Sequence, residues 1–82
     1  MMNTLTHPEL TQYEVDMYWF YRKNGMLTSF FLRYFEFLKN SKTINEAFLR
    51  TNDEYLMLFG EYRYSCIRSF RRSLRFYLKN EL

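Results

Sequence analysis

The segment TINEAFLRTNDEYLMLFG, residues 43–60, decides the fold class of this chain. Thr43 followed by Glu46 matches the capping box that opens helices, and Gly60 tolerates the left-handed conformation found after helix ends. Between them, apolar side chains recur at intervals of three and four, as on one face of a helix: Ile44, Ala47, Phe48, Tyr55, Leu58 and Phe59. The pattern predicts a helix over residues 44–59. The run from Thr51 to Asp53 favours caps and turns, so a break into two shorter helices stays open.

Helical spacing continues on both sides of this segment. Thr6 and Glu9 form another capping box upstream, Gly25 ends the pattern that follows it, and Ser65 is a predicted cap downstream. Four helices are predicted, over residues 7–23, 27–40, 44–59 and 65–80, with residues 1–6 as a flexible end. Short connections favour antiparallel neighbours, so we expect residues 1–82 to form one all-α domain.

Size and composition limit what this chain does. Its 82 residues and 10.3 kDa allow one small domain and exclude a multi-domain enzyme. Aromatic residues make up 22% of the chain. Because a domain of this size has only a thin core, it cannot readily bury all of these rings, and we expect some of them at the surface.

The sequence offers no catalytic or metal-binding pattern. His7 is the only histidine and Cys66 the only cysteine, which excludes an intramolecular disulfide and gives neither residue local support as a catalytic pair. The acidic neighbours Asp53 and Glu54 are predicted to lie on a solvated face. We therefore expect no catalytic residue, no metal and no cofactor. The absent signal-peptide pattern and the lone cysteine predict an intracellular protein, and the most apolar window, residues 26–38, is too short to span a membrane.

Positive charge is concentrated at the end of the chain. Residues 1–60 carry six basic and seven acidic residues, whereas residues 61–82 carry six basic and two acidic residues. In the last predicted helix an apolar stripe, formed by Ile67, Phe70, Leu74, Tyr77 and Leu78, lies beside an arc of cations, with Phe76 projecting on the far side. Three like-charge pairs at i,i+4 oppose this helix by roughly 1 kcal/mol in total. An anionic partner explains the arrangement better than a solvated surface does.

Residues 60–74, GEYRYSCIRSFRRSL, have the outline of a helix-turn-helix unit with a long turn. This predicts nucleic-acid binding. The candidates for contact with bases are Ser65, Arg68, Ser69 and Arg72, and the candidates for contact with phosphates are Arg63, Arg71, Arg75 and Lys79. If all five cations of the last predicted helix contacted phosphates, the log-log salt slope on duplex DNA would be about −4 to −5.

The alternative hypothesis is a small interaction protein that docks on an acidic surface of a larger protein or self-associates. Three consecutive rings cannot all face one core, so at least one of them points outward. The candidate partner contacts are Trp19, Phe20, Tyr21 and Phe76. Binding of the basic helix to a membrane surface ranks last, because its apolar stripe is needed for the core. Sequence alone leaves DNA, RNA and protein partners open.

Overall fold

The computed structural model describes residues 11–81, which form an all-α domain of four helices. They are α1 (Gln12–Asn24), α2 (Met26–Leu38), α3 (Ile44–Phe59) and α4 (Ile67–Glu81). The predicted fold class is confirmed. The predicted flexible end, residues 1–6, and the capping box at Thr6 and Glu9 lie outside the described residues. Among the helices of residues 11–81, none has the length and apolar character that crossing a membrane requires.

The first helix of the described residues starts at Gln12, whereas the predicted start, residue 7, lies outside them. Thr11 is extended, at φ −81° and ψ 165°, and its hydroxyl accepts a hydrogen bond from the backbone N–H of Glu14. The Glu14 carboxylate in turn accepts one from the Thr11 N–H at 2.7 Å. This reciprocal capping box fixes the start of α1 at Gln12, so a single helix over residues 7–23 is wrong.

A single glycine separates α1 from α2. Gly25 has φ +89°, its N–H donates to the Tyr21 carbonyl of α1, and its carbonyl accepts from the Ser29 N–H of α2. Only glycine adopts this conformation freely, and the result is two helices joined without a loop.

The third helix is one continuous helix, as the first of the two predicted alternatives had it. Thr43 caps it by accepting from the Glu46 N–H at 3.0 Å, and Gly60 ends it in the left-handed conformation, at φ +81°. Thr51 does not break the helix because its hydroxyl donates to the Ala47 carbonyl one turn earlier, at 2.7 Å. The side chain of the neighbouring Asn52 hydrogen-bonds to the backbone of Arg63 and Tyr64, beyond the end of the helix.

Aromatic rings fill the core, and Phe70 of α4 lies at its centre with 0% of its surface exposed. Its ring contacts five other rings at centroid distances between 4.7 and 5.9 Å: Phe30, Phe31, Tyr34, Phe48 and Tyr64. Phe31 also meets Tyr77 at 4.4 Å. Phe31, earlier in α2, contacts Tyr77, later in α4, whereas Tyr34, later in α2, contacts Phe70, earlier in α4. The two helices are therefore antiparallel. Edge-on and tilted ring pairs of this kind contribute beyond their buried area.

An ion pair joins α2 to α3 inside this fold. Arg33 donates two hydrogen bonds to the Glu54 carboxylate, and Tyr13 of α1 donates a third. The hydrogen bonds to Glu54 raise the pKa of the Arg33 guanidinium, and partial burial raises the pKa of the Tyr13 phenol. Placing Glu54 on a solvated face was wrong, because only 4% of its side-chain surface is exposed.

Candidate nucleic-acid interface

The orientation of α4 is set by four side chains that reach the core, the first of them Ile67 at the start of the helix. Phe70 is fully buried, while Leu74 and Tyr77 pack against the buried rings. Leu78, predicted to belong to the same stripe, is 39% exposed, and Ser73 on the other side is half-buried. The buried face of α4 therefore lies closer to Ser73 and farther from Leu78 than the predicted stripe does. The rotation turns the cationic arc fully outward.

Four arginines of α4 meet in one open cleft. Arg68, Arg71, Arg72 and Arg75 are all exposed, and with Ile67 they line a space of about 390 Å³. Spacings of three and four residues place their side chains on one face of the helix. Four arginine side chains, each ending in a planar fork of donors, thus line one volume.

These arginines contrast with Arg33 and Arg50, which lie near carboxylates. Arg33 binds Glu54 at 2.9 Å, and Arg50 lies 3.9 Å from Glu46. Within residues 11–80, no carboxylate lies within 4.0 Å of the four guanidinium groups of the cleft. Their charges are not neutralised by described neighbours, so the cleft presents a positive potential to solvent.

The other predicted contact residues lie outside the arginine cleft. Arg63 is half-buried in the connection between α3 and α4, with its guanidinium 5.0 Å from the Tyr64 ring centroid. Ser69 is half-buried rather than on an exposed arc, and its hydroxyl lies 3.7 Å from the Cys66 sulfur. Ser65 and Lys79 are exposed but do not line the cleft. The structure thus brings together four of the eight predicted residues.

The last helix begins at Ile67 rather than at the predicted residue 65. The Cys66 carbonyl accepts the first helical hydrogen bond, from the Phe70 N–H at 3.3 Å. Cys66 therefore precedes the helix where Ser65 was expected as the cap. A hydrogen bond from the backbone N–H of Ser69 lowers the pKa of the exposed Cys66 thiol.

The connection between α3 and α4, residues 60–66, is held by Asn52. Its side-chain amide donates to the Tyr64 carbonyl at 2.8 Å, and its carbonyl oxygen accepts from the N–H groups of Arg63 and Tyr64. This connection is longer than the turn of about 3 to 4 residues in a helix-turn-helix unit. Sequence analysis missed Asn52, because an asparagine inside a helix signals only a possible break.

The three consecutive rings proposed as partner contacts differ in their exposure to solvent. Trp19 is 62% exposed and lies in a cleft of about 200 Å³ between α1 and the end of α3. Phe20 is half-buried, and Tyr21 is buried in the core beside Tyr55 and Phe59, which removes it from any contact surface. The expectation that at least one of the three consecutive rings points outward is confirmed by Trp19.

A second cleft adjoins the arginine cleft and contains a residue that sequence analysis missed. Leu27, in the first turn of α2, lines it with Arg72, Ser73, Phe76 and Tyr77 of α4, around a space of about 310 Å³. No local pattern marks Leu27, because only the pairing of α2 with α4 brings it there. Phe76 is 66% exposed at this cleft.

Within residues 11–81, no three His, Cys, Asp or Glu side chains come together as metal ligands. Comparison with protein-family models, with curated proteins and with solved structures finds no match to this chain. The two clefts on α4 are the features whose chemistry indicates a function.

Proposed function

We propose that this protein binds nucleic acid through the arginine face of α4. The observation that carries the proposal is the cleft in which Arg68, Arg71, Arg72 and Arg75 lie together, exposed and without a carboxylate among the described residues within ion-pairing distance. Phosphate is the anion that suits this set, because a guanidinium donates two parallel hydrogen bonds to it.

The internal cost of the cleft supports a ligand rather than a solvated surface. Arg68 with Arg72, and Arg71 with Arg75, are like charges one turn apart, each destabilising a helix by roughly 0.2 to 0.5 kcal/mol. Only Lys79 lies in the last turn, where the helix dipole stabilises cations. An anion in the cleft would relieve the repulsion among the four arginines.

The proposal predicts a definite salt dependence. Neutralising four phosphates gives a log-log slope of roughly −3.6 on duplex DNA and roughly −2.8 on a single strand. Fluorescence anisotropy of labelled oligonucleotides, titrated between about 50 and 200 mM salt, measures the slope directly.

The decisive variant is Arg68→Ala with Arg72→Ala. It should weaken binding and reduce the magnitude of the slope by roughly 1.4 to 1.8. The matched control is Lys39→Ala with Lys42→Ala, which removes the same charge from exposed lysines that line neither cleft. If both double variants lost the same affinity, net charge alone would explain binding and the arginine face would not be the site. Absence of binding by the wild-type protein at low salt would also refute the proposal.

A second candidate function is self-association through Trp19, with a second copy of this chain as the partner. The observation that favours it is the exposed indole in its own cleft with Val15, Tyr18 and Leu58, since tryptophan in a pocketed surface is typical of binding hot spots. Sedimentation of the wild-type protein and of Trp19→Ala tests self-association. A dimer that Trp19→Ala dissociates would support this function.

A further inference from the structure

The cleft beside the arginines has the character of a platform for a flat apolar group. Phe76 and Tyr77 supply two rings, Leu27 supplies an aliphatic wall, and Ser73 supplies a small hydroxyl group. Phe76 is the most exposed of the large hydrophobic residues in residues 11–81. An exposed ring in a concave apolar site can stack on a ligand ring without moving the core.

The two clefts are continuous through one residue. Arg72 lines both the arginine cleft and the cleft at Phe76. Arg72 and Phe76 are one helical turn apart on the same side of α4, about 6 Å along its axis. A ligand whose phosphates lie among the arginines therefore has its adjoining groups directly beside the exposed ring. The positive charge of the arginine cleft therefore favours anionic ligands at the neighbouring cleft around Phe76.

Nucleic acid with unpaired bases matches this combination. Single-strand-binding proteins pair a positively charged groove, which follows the backbone, with aromatic side chains on which bases stack. In a duplex the bases already stack on each other, and a protein ring reaches their faces only by unstacking a step. A single strand presents the same phosphates together with free base faces.

We propose that the nucleic acid bound by α4 is single-stranded, with one unpaired base stacked on Phe76 in the cleft formed by Leu27, Arg72, Ser73 and Tyr77. This inference rests on the proposed function, since the arginine cleft must hold the phosphates. It replaces the major groove of a duplex by a single strand as the target. Stacking on Phe76 would make binding of a single strand tighter than binding of a duplex. The arginines would contribute to the affinity for both.

The test compares three labelled probes of one length by fluorescence anisotropy at one salt concentration. They are a mixed-sequence single strand, its duplex, and a single-stranded backbone without bases. We expect the single strand to bind more tightly than the duplex. Phe76→Ala should weaken single-strand binding by about 5- to 150-fold, the range measured for one stacked base, and leave duplex and baseless probes unchanged.

Two further variants separate stacking from folding. Tyr62→Ala removes an exposed ring that lines neither cleft of α4, and should leave all three affinities unchanged. Trp19→Phe with Phe76→Trp places the only tryptophan of the chain at the platform. Its fluorescence should be quenched by the single strand and not by the baseless probe.

The outcomes distinguish the two proposals. Duplex binding as tight as single-strand binding, or single-strand binding that Phe76→Ala leaves unchanged, would overturn the stacking inference and leave the arginine face intact. If none of the three probes binds, the proposed function itself fails. Melting of each variant, followed by circular dichroism, confirms that the compared proteins are folded.

Discussion

The Arg33 guanidinium binds the Glu54 carboxylate through two parallel hydrogen bonds, Nε to Oε1 at 2.9 Å and Nη2 to Oε2 at 2.9 Å. Arg33 belongs to α2 and Glu54 to α3, and Tyr13 of α1 hydrogen-bonds to both. One polar cluster therefore connects three of the four helices at the edge of an aromatic core. The side chains of Arg33 and Glu54 are 15% and 4% exposed, so water cannot fully replace either partner if the other is lost.

Glu54→Ala should lower the free energy of unfolding by about 3 kcal/mol, because it leaves the Arg33 guanidinium partly buried without its carboxylate. Urea denaturation measures the change. Replacing both partners by apolar residues, as in Arg33→Met with Glu54→Leu, should bring stability back to within about 1 kcal/mol of the wild type. The exposed pair Glu36 and Lys39 is the control, and Glu36→Ala should cost at most about 0.5 kcal/mol. Equal costs for Glu54→Ala and Glu36→Ala would contradict this account.

Asn52→Ala should destabilise the protein by about 2 to 3 kcal/mol and loosen the connection before α4. It removes the partner of two backbone N–H groups and of the Tyr64 carbonyl, all close to the core. Hydrogen exchange should show faster exchange at the amides of Arg63 and Tyr64. Asn45→Ala, an exposed asparagine of the same helix, is the control and should change neither. Unchanged protection of those two amides would show that Asn52 does not hold the connection.

Tyr21→Phe should leave stability unchanged or raise it, by up to about 1 kcal/mol. The Tyr21 hydroxyl is buried, and among the described residues it has no hydrogen-bond partner. Removing an unsatisfied hydroxyl relieves a desolvation cost while the ring keeps its contacts with Tyr55 and Phe59. The midpoint of urea denaturation is the measurement. A clear loss of stability would show that the hydroxyl has a partner.

Stability should fall as the pH rises above 10. Burial raises the pKa of Tyr21 and of Tyr34 above the ordinary value of 10.0. The unfolded chain therefore releases these phenolic protons at lower pH than the folded chain does, so stability is fully present below pH 10 and declines above it. Urea midpoints measured against pH, with tyrosinate absorbance as a second probe, test this. In Tyr21→Phe the decline should be smaller, and an identical decline would contradict the assignment to Tyr21.

Arg75→Glu should stabilise the fold and weaken nucleic-acid binding at the same time. Arg75 has like charges four residues away on both sides, Arg71 and Lys79, and the substitution turns both pairs into attractive ones. We expect a gain of about 1 kcal/mol in the free energy of unfolding, with the uncharged Arg75→Gln between the two. Binding should fall in the same order. Destabilisation by Arg75→Glu would show that the arginine cleft carries no repulsive cost.

Much of the secondary structure could be predicted because its signals are local. Thr43, Gly25 and Gly60 mark helix boundaries through their own side chains or backbone freedom, and the structure places boundaries at all three. The start of α1 was wrong because two Thr and Glu pairs in succession fit the capping pattern, and the box in the described residues is the one at Thr11. The capping pattern is thus a local signal that two neighbouring sites in this sequence satisfy.

The arginine face was also predictable, since α-helical periodicity alone places Arg68, Arg71, Arg72 and Arg75 together. The cleft at Phe76 was not, because Leu27 reaches it only through the antiparallel contact of α2 with α4. Residues 49 positions apart in the chain carry no mutual signal in a single sequence.

The sequence by itself determined that this protein is helical, where most of its helices lie and which helix carries the positive charge. These properties depend on neighbours three and four residues apart, whose geometry a helix fixes in advance. Only the tertiary structure decided that Tyr21 is buried while Trp19 is exposed, that Glu54 faces Arg33 and that Phe76 stands beside Leu27. Those outcomes depend on how whole helix faces fit together, since aromatic rings too large to share one thin core must compete for it.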